Sequence, residues 1–234
     1  MTPLLRKELR AIFDSPAAYV VTVVMLLIAG YLFAQPIFLI NQASLSGFSE
    51  SAELLLIFFV PAVTMRLYAE ERRSGTIEIL STLPVSDLEV IGAKYLAAMA
   101  LLTFMLAGTW VFPATLGLLG RPDWGAVAGT YAGLWLDSAA LAAVGVWAST
   151  LTRNQITAFI TAFIIGFALY LVGKVTVFLP PMLAPLLGFL GFDAHVEALS
   201  RGVADSRDIL YFASLAGFFL YLAYLQVNLR RVRP

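Results

Sequence analysis

No cysteine occurs in the 234 residues, so the chain cannot form a disulfide, a thiolate nucleophile or a cysteine-ligated metal site. Histidine is almost as scarce: His195 stands alone, which leaves a metal without its commonest ligand. Charge is sparse too, with 13% Asp, Glu, Lys and Arg against roughly 25% in an ordinary soluble domain. The 15 basic and 15 acidic residues cancel, and no basic stripe with interleaved aromatics is present, which excludes nucleic acid as a partner. There is no long hydrophilic region in which a soluble catalytic or nucleotide-binding domain could fold. Nor is there a Gly-x-x-x-x-Gly-Lys-Ser/Thr phosphate loop; Gly173-Lys174-Val175 lacks the first glycine and the hydroxyl. No cofactor is expected in this chain.

What is there is apolar. Hydrophobic residues make up 60% of the chain and fall in long blocks, several of which reach the roughly 20 residues that a helix needs to cross hydrocarbon. The fold class that follows is all-α: a polytopic membrane protein of six transmembrane helices, forming one membrane domain over residues 1–234, with lipid as its main solvent. Residues 2–13 place Leu5, Leu9, Ile12 and Phe13 on one helical face and Arg6, Lys7 and Arg10 on another, the pattern of an interfacial helix. Because that helix precedes a long apolar run, the N-terminus does not read as a cleavable leader and is expected to stay in the mature protein.

Ser15 and Pro16 read as cap and first-turn residue of span one, residues 17–40. Span two is placed at 48–68, with Glu53 and Arg66 bracketing its apolar centre, Pro61 kinking it and Arg66 snorkelling toward headgroups. The capping box Ser86-Asp87-Leu88-Glu89 opens span three, which should run to residue 119. Asp123 caps span four at 124–151, and Asn154 caps span five, ending near 173. The run 182–192 is too short to cross and suits a re-entrant or interfacial segment, followed by a polar stretch over 193–207. Asp205 and Asp208 flank the start of span six, which ends near 228.

Lysine and arginine accumulate on the cytoplasmic side of membrane proteins. With both termini inside, the inner segments hold Arg6, Lys7, Arg10, Arg66, Arg72, Arg73, Lys94, Arg153, Arg230, Arg231 and Arg233, against Arg121, Lys174, Arg201 and Arg207 outside. The expected topology therefore has both termini in the cytoplasm.

Between spans two and three lies a charged run, Ala69-Glu70-Glu71-Arg72-Arg73-Ser74, followed by Gly75-Thr76-Ile77-Glu78-Ile79-Leu80-Ser81-Thr82-Leu83-Pro84. Gly75 permits a left-handed backbone, and Ile77, Ile79, Leu80 and Leu83 make a short amphipathic helix that Pro84 stops. A charged loop ending in a short helix on the cytoplasmic side is a handle; the competing reading is a solvated loop whose acids and arginines pair with each other. On span four, Gly125, Gly129, Gly133 and Asp137 recur every four residues, with Gly145 and Ser149 continuing a small stripe that allows close helix approach. Asp137 sits near mid-membrane, where an ionised carboxylate costs about 2.5–3.5 kcal/mol, so it either lines a pathway or is a polar anchor, protonated or bonded to a hydroxyl. Around His195, the outer-face residues Arg201, Asp205, Arg207 and Asp208 could meet a partner or cargo, whereas His195 itself reads as capping and solvation.

Met65-Arg66-Leu67-Tyr68-Ala69-Glu70-Glu71 and Ser74-Gly75-Thr76-Ile77-Glu78 resemble runs in the permeases of ABC-2 type ATP-binding-cassette (ABC) transporters, within them the type named for bacterial gliding motility. The resemblance continues in Pro84-Val85-Ser86-Asp87-Leu88, Leu151-Thr152-Arg153-Asn154-Gln155 and Ser200-Arg201-Gly202-Val203-Ala204-Asp205-Ser206-Arg207-Asp208. It implies a permease of the bacterial inner membrane, by family habit an exporter. It also implies two cytoplasmic ATPase subunits that use ATP and Mg, a second permease copy or homologue, and a periplasmic or membrane accessory protein. Residues 76–83 would be the coupling helix, with Glu70, Glu71, Arg72, Gly75, Thr76, Ile77, Glu78, Leu80 and Pro84 meeting the ATPase. Two other classes compete: an energised scaffold for gliding or envelope machinery, and an intramembrane enzyme, for which neither His-Glu-x-x-His nor paired transmembrane aspartates are present.

Overall fold

In water the apolar face of residues 2–13 would be exposed, and folding resolves this by laying them as helix α1 (Thr2–Phe13) against the start of span three. The computed structural model describes residues 2–40, 46–76, 85–120, 122–176, 180, 184–202 and 205–232. Among these, regular structure is helical throughout, and six helices are long and apolar enough to cross a membrane. The chain is thus an all-α, multi-pass membrane protein.

Span one is α2 (Pro16–Ile40), entered through a tight joint in which the Ala18 N–H donates to the Ser15 carbonyl at 3.1 Å. Span two is two helices, α3 (Ser46–Thr64) and α4 (Arg66–Ser74), broken at Met65. The break lies one turn after Pro61, and the Met65 N–H still reaches the Pro61 carbonyl at 2.9 Å, so α4 continues closely from α3. Helix continues to Ser74, so Glu70 to Arg73 are helical, a correction to the expected charged loop. Arg66 Nη1 donates to Ser15 Oγ at 2.8 Å, pinning span two to the α1–α2 joint.

Span three begins as expected with a complete Ser86/Glu89 capping box but is not one helix. It comprises α5 (Asp87–Gly108) and α6 (Val111–Leu119). At the interruption the Thr109 hydroxyl donates to Leu106 O at 2.7 Å, and Tyr131 OH donates to Thr109 O at 2.9 Å. Pro113 has no N–H to return to the Thr109 carbonyl, which Tyr131 takes instead, and the helix breaks there. Span four, α7 (Trp124–Leu151), and span five, α8 (Gln155–Val175), carry the expected caps, Asp123 Oδ1 accepting from Gly125 N at 2.8 Å and Asn154 Oδ1 from Ile156 N at 3.0 Å. The chain then forms α9 (Ala184–Leu190), α10 (Phe192–Ser200) and span six, α11 (Ser206–Val232).

Of the six spans α7 is the most enclosed and α8 the least. The glycines of α7 make this possible. A Cβ on Gly129 would lie 2.0 Å from the Leu199 carbonyl oxygen of α10, and one on Gly145 would lie 1.9 Å from Thr64 Oγ1 of α3. The small stripe therefore receives elements of the same chain. The polar stretch expected at 193–207 is likewise corrected: α10 is tucked against α7, α8 and α3 and buries Phe192, His195, Val196 and Leu199.

Candidate functional site

An even number of spans puts α1 and the end of α11 on one face of the bundle, here the terminal face. A charged hub is built there from three helices. Lys94, on the second turn of α5, is 1% exposed and lies 3.1 Å from Glu8 Oε2 of α1 and 2.8 Å from Glu71 Oε2 of α4. Lys7 closes the ring, its Nζ 3.1 Å from both Glu8 Oε1 and Glu71 Oε1. The Lys94 ammonium also sits 5.2 Å from the centre of the Tyr68 ring, a cation–π contact. Two cations and two carboxylates balance, which is what permits charge to be buried; removing one partner of such a cluster costs about 3–5 kcal/mol. Partial burial lowers the Lys7 pKa, but Glu71 and Glu8 more than offset it, so the ammonium is held above its ordinary value.

From the hub, α4 leads directly to the predicted handle. Ser74 Oγ donates back to Glu70 O at 3.0 Å, Thr76 Oγ1 donates to Glu71 O at 3.4 Å, and Gly75 caps the helix with a left-handed φ of 73°. Arg72 Nη1 donates to the Thr150 carbonyl, tying α4 to the last turn of α7. Glu70 and Arg73 are exposed. Ile77, Glu78, Leu80 and Pro84 lie outside the described residues, and with them the predicted coupling helix apart from Thr76. On its far side the chain enters α5 through the Ser86 cap, and Lys94 follows about two turns later. Both ends of segment 77–84 are therefore fastened to helices that meet at Lys94.

Asp137 lies in the interior of α7, fully buried, and neither carboxyl oxygen has a hydrogen-bond partner among the described residues. The hydroxyl expected as its anchor is absent among them; neighbouring Ser138 donates to Trp135 O instead. A second acid, not among the candidates from sequence, is Glu53 of α3, which is 1% exposed and whose Oε1 is equally unpartnered. Spans two and four run in the same direction with Thr64 beside Gly145, so counting back along both puts Asp137 level with Leu56, about one turn from Glu53. The two acids are electrostatic neighbours.

The four outer-face residues separate. Arg201 is exposed and pairs with Glu197 one turn earlier, Asp205 caps α11 by accepting from Arg207 N at 2.9 Å, and Arg207 is exposed. Asp208 is not on that surface: it is 6% exposed and turned inward, its Oδ1 2.6 Å from His195 Nδ1. His195 is correspondingly corrected from a solvated residue to a buried one, with Nε2 2.9 Å from Phe189 O and its ring stacked 4.1 Å from Tyr211. The signal for this is faint in the sequence: Phe192, Val196 and Leu199 recur at helical spacing around His195 within an otherwise polar stretch.

Six spans, two of them fastened together with α1 by a charge-balanced hub, define the class, a multi-pass membrane protein with a reinforced terminal face. Residues 11–173 match the model of the ABC-2 family transporter proteins, and the chain belongs to that family. It is a membrane permease component of an ABC transporter rather than an enzyme, and such a component works with an ABC ATPase. No curated protein matches the chain.

Proposed function

We propose that the chain is the permease subunit of an ABC exporter in a bacterial inner membrane, of the gliding-motility permease type, with its terminal face in the cytoplasm. Two ATPase subunits using ATP and Mg would grip segment 76–83, the coupling helix, and its flanks through Glu70, Gly75, Thr76, Ile77, Glu78, Leu80 and Pro84, while Glu71 and Arg72 anchor it to the bundle. A second permease copy or homologue completes the membrane unit, and the exposed Arg201, Asp205 and Arg207 suit contact with an accessory protein on the opposite side. Asp137 belongs to the pathway.

One observation supports this reading above the others: Glu71, at the root of the handle, is ion-paired to Lys94 of α5 and shares Lys7 with Glu8 of α1. A push on the handle is thereby delivered to three helices at once, as rigid-body coupling requires. The test is reconstitution with the ATPase in sealed vesicles. Glu78→Arg and Gly75→Val should leave the permease inserted but abolish ATPase activity coupled to transport; unchanged coupling would overturn the assignment. Accumulation of cargo in inverted vesicles on ATP addition separates an exporter from an energised scaffold.

A further inference from the structure

At the terminal face the buried carboxylate of Glu8 and the half-buried one of Glu71, on different helices, are bridged by one primary ammonium, that of Lys94, at 3.1 and 2.8 Å. Deeper in the bundle Glu53 and Asp137 are likewise carboxyls on neighbouring helices, both buried, but no side-chain ammonium among the described residues joins them. The polar groups around them are committed elsewhere. Lys174 Nζ, the neighbouring cation, is held by Glu50 at 2.7 Å and Asp193 at 2.9 Å. Tyr211 OH donates to Leu190 O at 2.5 Å, and both ring nitrogens of His195 are engaged, with Asp208 and Phe189 O. Three oxygens, Glu53 Oε1 and both of Asp137, are left as acceptors without donors among the described residues.

We propose that Glu53 and Asp137 form a binding site for a protonated amine carried by the cargo, the cargo ammonium taking the place that Lys94 takes between Glu8 and Glu71. An ammonium brings a positive charge and three N–H donors, which suits three unpartnered acceptors. A divalent metal suits them poorly, because calcium takes six to eight oxygen ligands and magnesium about six. A quaternary ammonium carries the charge without the donors and is discriminated against. Helix α10 packs on α7, α8 and α3 on the face opposite the termini, in close contact at Gly129 on Leu199, while next to it Gly191 lies on Gly173.

The proposal deepens the transport reading by naming a cargo class, and binding can be measured without the ATPase, so the two fail separately. The full chain in lipid nanodiscs is titrated with dansylcadaverine, a fluorescent primary amine. Saturable binding is expected, displaced by ethylammonium but not by tetramethylammonium or sodium at equal ionic strength, and weakened at least tenfold in Glu53→Gln and in Asp137→Asn. Undiminished binding in either variant, or equal displacement by sodium, overturns it. Glu53→Lys gives a readout that needs no ligand: an internal ammonium beside Asp137 should raise the thermal midpoint and abolish dansylcadaverine binding, and a lowered midpoint in a protein that still inserts counts against the site.

Discussion

The two halves of the bundle differ in how their helices are joined. Near the terminal face a charge-balanced ring of Glu8, Glu71, Lys7 and Lys94 ties three helices, and hydrogen bonds from Arg66 to Ser15 and from Arg72 to the Thr150 carbonyl reinforce it. In the opposite half the pairs of Lys174 with Glu50 and Asp193 and of His195 with Asp208 are accompanied by backbone approach over Gly129 and Gly191, and Glu53 Oε1 and both Asp137 oxygens are left without donors among the described residues. Ion-pair rings are directional and costly to break, which suits a part that must transmit force. Glycine contacts have no such directionality, which suits a part that must open and close.

The largest effect expected from breaking this contrast is at Lys94. Lys94→Met leaves Glu8 and the half-buried Glu71 with only the exposed Lys7 as counter-charge and should lower stability by about 3 kcal/mol, read as a drop in thermal midpoint in detergent. Next is Gly129→Ala, whose Cβ would meet the Leu199 carbonyl at 2.0 Å. Overpacking of this kind costs about 1–3 kcal/mol, and because backbone must move, α10 should loosen. Since the chain has no cysteine, Val196→Cys can report it: the thiol should be protected from maleimide in the parent and labelled once Gly129→Ala is added. Ser86→Ala removes the capping box of α5 and should cost about 1 kcal/mol without altering α10 labelling, which confines its effect to the terminal half. The smallest effect is Glu197→Ala: an exposed pair with Arg201 is screened by solvent, so its midpoint should match the parent within error.

The spans and their caps are legible in the sequence because they depend on local rules. Hydropathy over about 20 residues and a cap side chain are properties of one segment, and Ser86, Asp123 and Asn154 all cap as their spacing predicts. The hub is not legible, since Lys94 and Glu8 are 86 positions apart and nothing local links them. Lys94 does carry a signal, a lone cation among Ile91, Ala93, Tyr95 and Leu96, which in a membrane span calls for a partner. Hydropathy alone makes Glu53 the bracket of a short apolar run; the helix in fact starts at Ser46 and places Glu53 well inside. His195 escapes a sequence reading because polar neighbours hide the three apolar positions that bury α10. The segment assigned as the coupling helix, 76–83, lies outside the described residues apart from Thr76, and the roles assigned to it rest on the resemblance.

The seating of Thr64 against Gly145 has a mechanical consequence. With a hydroxyl and a methyl lodged against bare backbone, spans two and four are keyed together like a tongue in a slot, so neither can slip lengthwise past the other. Under the proposed coupling role, a stroke entering at Arg72 and Glu71 would tilt both rods about that key, with Glu53 and Asp137 on the lever arm beyond it.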